Sequence, residues 1–332
     1  MEPPDASIHS GFEATVSRRA DAIRSGLVVT IGGVPVRLWA DDPRRARAMA
    51  ELLVGVDPSV AEPRCTISFV SDELLLPSRR ADDEFADGEA WQRGDEFAFR
   101  HSSGVVAVAD ARDAHLAGDA AELRLPFRRV FQPTLTHLLA HQGRFVAHGA
   151  AVARDGRAIL VLGGTGRGKS TIAMAALRAG HDVLGDDLVV IAPRDDGAFD
   201  VTGVPRPMAV PGDVVDSSAG REVGDARARV ELTPSDLSTA QMQVIAIVVS
   251  EHSEGDVSTL ERLTAPLLLG EVLSAFTATR NAELVRKFFP HASALSRLPG
   301  WKLSLGRAAG SRLDEAAALL DDVHASVRPS PT

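Results

Sequence analysis

The chain is 332 residues long with a mass of 35.1 kDa, which predicts two domains or one large domain with an appendage. Hydrophobic residues make up 45% and charged residues 24%, the mix of a globular protein with a substantial core, and this excludes a mainly disordered or fibrous chain. Lysine and arginine total 36 against 45 aspartates and glutamates, a net charge of −9 that argues against a broad basic footprint for nucleic acid.

The first residues, Met1-Glu2-Pro3-Pro4-Asp5, are acidic and proline-rich, the reverse of the basic-then-apolar order of a signal peptide. No apolar run reaches the ~18 residues of a spanning helix, so the expectation is a cytoplasmic protein with no membrane partner. Residues 1–12 and 326–332 read as disordered tails. Val28 to Ile31 and Val34 to Leu38 flank Gly32-Gly33 as a tight hairpin. Asp41 or Asp42 is placed to cap a helix over Ala46 to Val54. Thr66 to Val70 is the next strand. Just before it stands Cys65, the single cysteine, which rules out an intrachain disulfide and a cysteine-cluster metal site. Ser78 to Asp95 is polar and reads as an exposed loop. Glu96 to Arg100 and Val105 to Ala109 form a second hairpin around His101-Ser102-Ser103-Gly104. The absence of tyrosine and an aromatic content of 5% argue against a carbohydrate- or base-stacking surface. These elements make residues 13–143 a β-rich α+β module without a catalytic constellation.

Phe127 to His141 has helical spacing at Val130, Phe131, Leu135, Leu138 and Leu139, and Gly143 suits its C-cap. His137 and His141 stand four apart, as zinc ligands can, but lack the glutamate of H-E-x-x-H, so a surface or packing role is expected. A second domain is expected over 144–325. It opens with strands at Phe145 to Ala147 and Ala158 to Leu162, separated by a turn at Arg154-Asp155-Gly156-Arg157. The second strand is a continuous apolar run, as a buried α/β strand requires.

Directly after that strand stands Gly163-Gly164-Thr165-Gly166-Arg167-Gly168-Lys169-Ser170, which fits the phosphate-loop pattern G-x-x-x-x-G-K-S/T and leads into an alanine-rich helix from Thr171 to Ala179. Its glycines permit positive φ and remove Cβ atoms, so backbone N–H groups can turn inward around phosphate oxygens. The helix N-terminus adds partial positive charge and unpaired donors. Lys169 has the reach for β and γ phosphates, and the Ser170 hydroxyl suits Mg²⁺. Leu184-Gly185-Asp186-Asp187 follows, with the aspartates only 17 and 18 positions beyond the lysine. One helix and one short strand suffice to bring these carboxylates back beside the phosphates. One of the pair suits metal binding and the other suits accepting a proton from an attacking hydroxyl. In an extended segment they would point to different sides. The plainer alternative is a turn or cap.

His148-Gly149, the phosphate loop and Leu184-Gly185-Asp186-Asp187, in this order, resemble the HPr kinase/phosphorylase family and its shorter relatives, among them serine kinases encoded with lasso-type peptides. The resemblance is specific over residues 148–191 and looser over 201–307. It implies an α/β fold: a P-loop kinase domain with a mixed sheet like that of phosphoenolpyruvate carboxykinase, preceded by a β-rich module. It implies ATP and Mg²⁺ as cofactors and residues 163–171 as the nucleotide-binding segment. It further implies Lys169, Asp186, Asp187 and His148 as catalytic residues and Ser170 and Asp186 as metal ligands. A peptide or protein carrying an acceptor serine is the implied partner, and relatives are often homo-oligomers. The Glu-x-Arg-Gly signature of the bifunctional enzymes is missing. The chain reads Val201-Thr202-Gly203-Val204-Pro205-Arg206-Pro207 there, which puts the phosphorylase reaction in doubt.

Farther on, Arg206 is positioned either for a phosphate or acidic group or simply for solvent. Val244 to Val249 is a buried strand, and Glu251 after it is the one candidate for an acid on a later strand. Pro266 to Val285 reads as a helix, with Arg280, Arg286 and Lys287 on or just past it as possible groove residues. Trp301 to Leu305 is a closing strand and Leu313 to Val323 a final helix. The leading expectation is a Mg-ATP-dependent kinase acting on a hydroxyl. The alternatives are a nucleotide-hydrolysing switch, with water as nucleophile, and a non-catalytic nucleotide-sensing regulator.

Overall fold

The computed structural model describes residues 6–53, 56–85, 88–119, 124–204, 208–211, 221–223, 229–232, 237–276, 282–308 and 311–327. It divides into two compact units, residues 1–142 and 143–332. Among the described residues no helix is long and apolar enough to cross a membrane.

The first unit runs α1 (Ala6–Arg24), β1 (Leu27–Ile31), β2 (Val34–Ala40), α2 (Pro43–Leu52), β3 (Cys65–Val70), β4 (Asp83–Phe85), β5 (Gly88–Arg93), β6 (Glu96–His101), β7 (Val106–Ala109), β8 (Asp113–Ala117) and α3 (Arg124–His141). Its strands form one sheet in the order β1-β2-β3-β8-β7-β6-β5-β4. The expected hairpins close as β1–β2 and β6–β7, and Asp42 caps α2 by accepting from the Arg44 and Arg45 amides. Three expectations need correction. Residues 6–12 do not fray, because α1 begins at Ala6 and buries Val16, Ala20 and Ile23 along one stripe. Residues 78–95 are not all loop, because β4 and β5 extend the sheet edge, with Trp91 buried and its Nε1–H donating to the Arg79 carbonyl. Strand β8 was not expected, since Asp113-Ala114-His115-Leu116-Ala117 carries no β-branched residue.

His137 on α3 plays the packing role. It is buried, stacks on Phe97, meets the edge of His141, and its Nε2 lies 3.0 Å from the Asp95 carbonyl. Burial and the neighbouring His141 push its pKa from 6.5 down to about 4. The unfolded chain therefore takes up a proton near pH 6.5 that the folded chain refuses until about pH 4. The resulting loss of stability begins as pH falls through 6.5 and reaches about 3 kcal/mol near pH 4. Denaturant titrations at pH 7, 6, 5 and 4 check this: the wild type should lose stability over that window with a visibly steeper slope than His137→Gln. Equal slopes would remove His137 as the cause.

The second unit runs β9 (Phe145–Ala147), β10 (Ala150–Arg154), β11 (Arg157–Leu162), α4 (Lys169–Arg178), β12 (Asp182–Gly185), β13 (Val189–Pro193), β14 (Phe199–Gly203), β15 (Met208–Pro211), β16 (Arg221–Val223), β17 (Arg229–Leu232), β18 (Met242–His252), β19 (Thr259–Leu263), α5 (Ala265–Ala275), α6 (Ala282–Leu295), β20 (Gly300–Leu305) and α7 (Arg312–Ser326). A mixed sheet of nine strands has the path β12-β10-β11-β18-β14-β13-β9, with β20 also paired to β18 and β19 to β20. Strands β15, β17 and β16 form a separate small sheet. Within the large sheet β11, β18 and β20 are mutually parallel neighbours, so their C-terminal ends open on one edge. One face is covered by α4 and α7 through Ile172, Met174, Leu313 and Leu320, and the other by α5 and α6 through Leu268, Val272, Phe288 and Leu295. The architecture is α/β with mixed sheets, as expected.

Here too the sequence reading is refined. The turn at 155–156 joins β11 to β10, an alanine-rich strand that carried no clear signal. The single helix expected over Pro266 to Val285 is two, because the backbone at Phe276 turns extended after α5 (φ −73°, ψ 126°). Arg206, Arg280 and residues 328–332 lie outside the described residues.

Candidate functional site: the phosphate loop and the aspartate pair

Strand β11 is buried along most of its length and delivers the chain to Gly163 at the open edge of the sheet. There only glycine fits. Gly163 has φ +141°, and a Cβ on it would sit 2.7 Å from both the carbonyl oxygen and Oγ of Ser250. Gly168, the N-cap of α4, has φ +94°, and its Cβ would fall 2.3 Å from Leu305 Cδ1. Between them Gly164, Thr165, Gly166 and Arg167 form the exposed crest. The helix then starts with the Ile172 amide donating to the Gly168 carbonyl, which leaves the amides of Lys169, Ser170 and Thr171 in the first turn outside the helical ladder. Thr171 is buried. This is the strand, loop and helix arrangement that concentrates N–H donors and partial positive charge at one point.

Lys169 is only 6% exposed, and its ammonium donates to the carbonyls of Gly163 (2.8 Å) and Gly164 (3.0 Å). Burial lowers its pKa, opposed by the attraction of Asp186 and Asp187. Ser170 Oγ donates to Asp186 Oδ2 at 2.7 Å. Asp186 is 8% exposed, and burial pushes its carboxyl up against the Ser170 hydrogen bond. Its Oδ1 is buried and makes no hydrogen bond.

The two aspartates part company. They do not lie in an extended segment but in a bend between β12 and β13, where Asp187 takes a left-handed conformation (φ +76°). Asp186 turns in toward the loop, whereas the Asp187 side chain is 50% exposed. His148 Nδ1 stands 3.0 Å from the Asp187 carbonyl oxygen and 3.0 Å from Asp187 Oδ1. His148 itself is pinned by its amide, which donates to the Ala275 carbonyl at the end of α5. The bend is set from below by a close backbone crossing. Gly203 lies on β12 so tightly that a Cβ would fall 1.4 Å from the Leu184 carbonyl oxygen, and one on Gly185 would meet Gly203 Cα at 2.9 Å.

The structure thus brings Lys169, Ser170, Asp186, Asp187 and His148 to one edge. Glu251 is turned away: it accepts from Ser304 Oγ at 2.9 Å and lies 3.5 Å from Lys302 Nζ. Lys287 is engaged along α6 with Glu283. The sequence reading missed Ser250 and His252, the residues of β18 that face the loop. Ser250 Oγ donates to the Leu162 carbonyl at 3.1 Å, and His252 Nε2 lies 2.9 Å from the Gly166 carbonyl. Period-two alternation on either side of Glu251 puts the two on one face of the strand but does not mark them as a brace.

Among the described residues no group of three or more histidine, cysteine, aspartate or glutamate side chains is arranged to hold a metal ion. The donors at the loop nevertheless fit Mg²⁺. Ser170 Oγ and Asp186 are hard oxygen ligands in contact, one carboxylate oxygen has no other partner, and Mg²⁺ takes few protein ligands beside phosphate and water oxygens.

No family model matches the chain, and no curated protein matches it in sequence. Among solved structures it is similar to the HPr(Ser) kinase/phosphatase from Coxiella burnetii, with 12% identity and a TM-score of 0.28 over 54% of this chain and 92% of that one.

Proposed function

We propose that the second unit is a Mg-ATP-dependent kinase that transfers a phosphoryl group to a hydroxyl, with a serine of a peptide or protein as acceptor. The observation that carries this reading is the divided aspartate pair: Asp186 buried on the Ser170 hydroxyl, Asp187 half-exposed on His148. A site that only bound nucleotide would need the first contact and not the second.

In this reading the loop amides of residues 163–171 and the ammonium of Lys169 hold the donor phosphates and spread the charge on the moving group, which supplies most of the rate. Lys169 gives up its carbonyl partners for phosphate oxygens. Ser170 and Asp186 would hold the Mg²⁺, which would neutralise phosphate charge when bound. Asp187, on the open side, accepts the proton of the attacking hydroxyl. His148 donates from Nδ1 to Asp187 and fixes its direction, with the backbone hydrogen bond to Ala275 fixing His148 in turn.

The test is incubation of the purified protein with γ-labelled ATP, Mg²⁺ and serine-containing peptides or cell extract, followed by mass spectrometry. Label on a serine hydroxyl is the expected result. Steady release of free phosphate with no labelled product would replace the kinase with a nucleotide-hydrolysing switch.

A further inference from the structure

We propose that His252 is a positioning residue of the phosphate loop: it ties the Gly166 carbonyl outward so that the crest presents amides, and not a carbonyl oxygen, to the phosphates. The inference rests on the loop binding nucleotide as proposed above.

The strand next to a phosphate loop is where a metal-binding acid commonly stands. Here β18 ends in Ser250-Glu251-His252, and alternation turns the acid to the far side, onto Ser304 and Lys302, while Ser250 and His252 face the loop. The two contacts fall at separate points. Ser250 holds the loop where it leaves β11, through the Leu162 carbonyl and the close approach of Gly163. His252 holds the crest, through the Gly166 carbonyl at 2.9 Å, and its Cε1 stands 3.5 Å from the position a Cβ on Gly168 would take. A carbonyl only accepts, so the Nε2 of His252 carries the proton in this contact.

The crest needs such a tie. Gly166 lies in the left-handed region at φ +75°, has no side chain to anchor it, and has open space where a Cβ would stand. Freed, its peptide can rotate and bring the carbonyl dipole toward the phosphates, where oxygen meets oxygen. Held by His252, that dipole points away from the anion. The strand register supplies the rigidity, since His252 pairs with Leu305 of β20 at the same level.

The experiment measures Mg-ATP binding by calorimetry and transfer kinetics for wild type, His252→Ala, His252→Gln and Lys169→Ala. His252→Ala should weaken Mg-ATP binding and raise KM for ATP about tenfold, the scale of one hydrogen bond with its geometric consequence, while kcat at saturation changes less than twofold. His252→Gln, which keeps an N–H at similar reach, should recover most of the affinity, and both His252 variants should unfold at the wild-type temperature because His252 is exposed. Wild-type affinity in His252→Ala, with Lys169→Ala weakened, would overturn the positioning role and leave the kinase reading standing. Equal losses in His252→Ala and His252→Gln would overturn it as well. No binding of Mg-ATP by the wild type would overturn both.

Discussion

Asp187→Asn should lower phosphoryl transfer by about a hundredfold to ten-thousandfold, the usual worth of a positioned general base, while leaving nucleotide binding within about twofold. The substitution is nearly isosteric and asparagine tolerates the left-handed conformation at least as well as aspartate, so the bend between β12 and β13 should hold. Half of the His148 anchor is also kept, because Nδ1 still has the carbonyl oxygen of residue 187 at 3.0 Å. What is lost is the ability to take a proton. The Asp187 carboxylate faces His148, and its negative charge lies near enough to raise the lysine pKa. Removing that charge should leave affinity for ATP unchanged or slightly tighter. Radiolabel transfer measured beside calorimetric titration decides the matter. Full transfer by the variant would move the proton acceptor elsewhere, and a parallel loss of binding would make Asp187 structural.

The parts of this site differ in how far they can be read without coordinates, for physical reasons. The loop from Gly163 to Ser170 is contiguous, and each residue type that a phosphate-binding reading needs stands at a fixed offset: glycine where φ is positive and neighbours crowd, lysine for reach, serine as the proposed metal ligand. All of it stands in the sequence from Gly163 to Ser170. The aspartate pair is legible as chemistry, but its division of labour is not. Alternation in a strand predicts opposite directions, and the directions do differ, yet the cause is the left-handed turn at Asp187 and the glycine crossing of Gly185 with Gly203 beneath it. Ser250 and His252 were out of reach because parallel pairing of β11 with β18 brings them in from about ninety positions away, and nothing local marks a strand end as a brace. The fold shows the same split. Strands with continuous or alternating apolar runs were readable, whereas the polar edge strand β5, the alanine-rich β10 and the short β8 owe their state to partners across the sheet.

Lys169→Ala should damage binding and transfer together, lowering kcat/KM by about a hundredfold to a thousandfold and weakening ATP binding about tenfold or more. The lysine is not a surface charge that water can replace. It is 6% exposed, and it stands beside two carboxylates where the proposed kinase would receive the donor phosphates. Without it the phosphates meet the field of Asp186 and Asp187 with only amide dipoles in opposition. A second effect separates this from simple loss of a contact. The carboxyl of Asp186 is already pushed up by burial, and the attraction of Lys169 is one of the influences that oppose that shift. Deleting the ammonium raises its proton affinity further, so Asp186 becomes a poorer metal ligand and the Mg²⁺ concentration for half-maximal activity should rise together with KM for ATP. Lys169→Arg should not rescue either quantity. The larger planar guanidinium must fit a buried slot between the Gly163 and Gly164 carbonyls that a compact ammonium fills at 2.8 and 3.0 Å. A titration of activity against Mg²⁺ at several ATP concentrations reads both shifts. A rise in KM for ATP with no change in the Mg²⁺ requirement would confine Lys169 to phosphate binding and break its link to Asp186, and wild-type kinetics in Lys169→Ala would end the phosphate-loop reading itself.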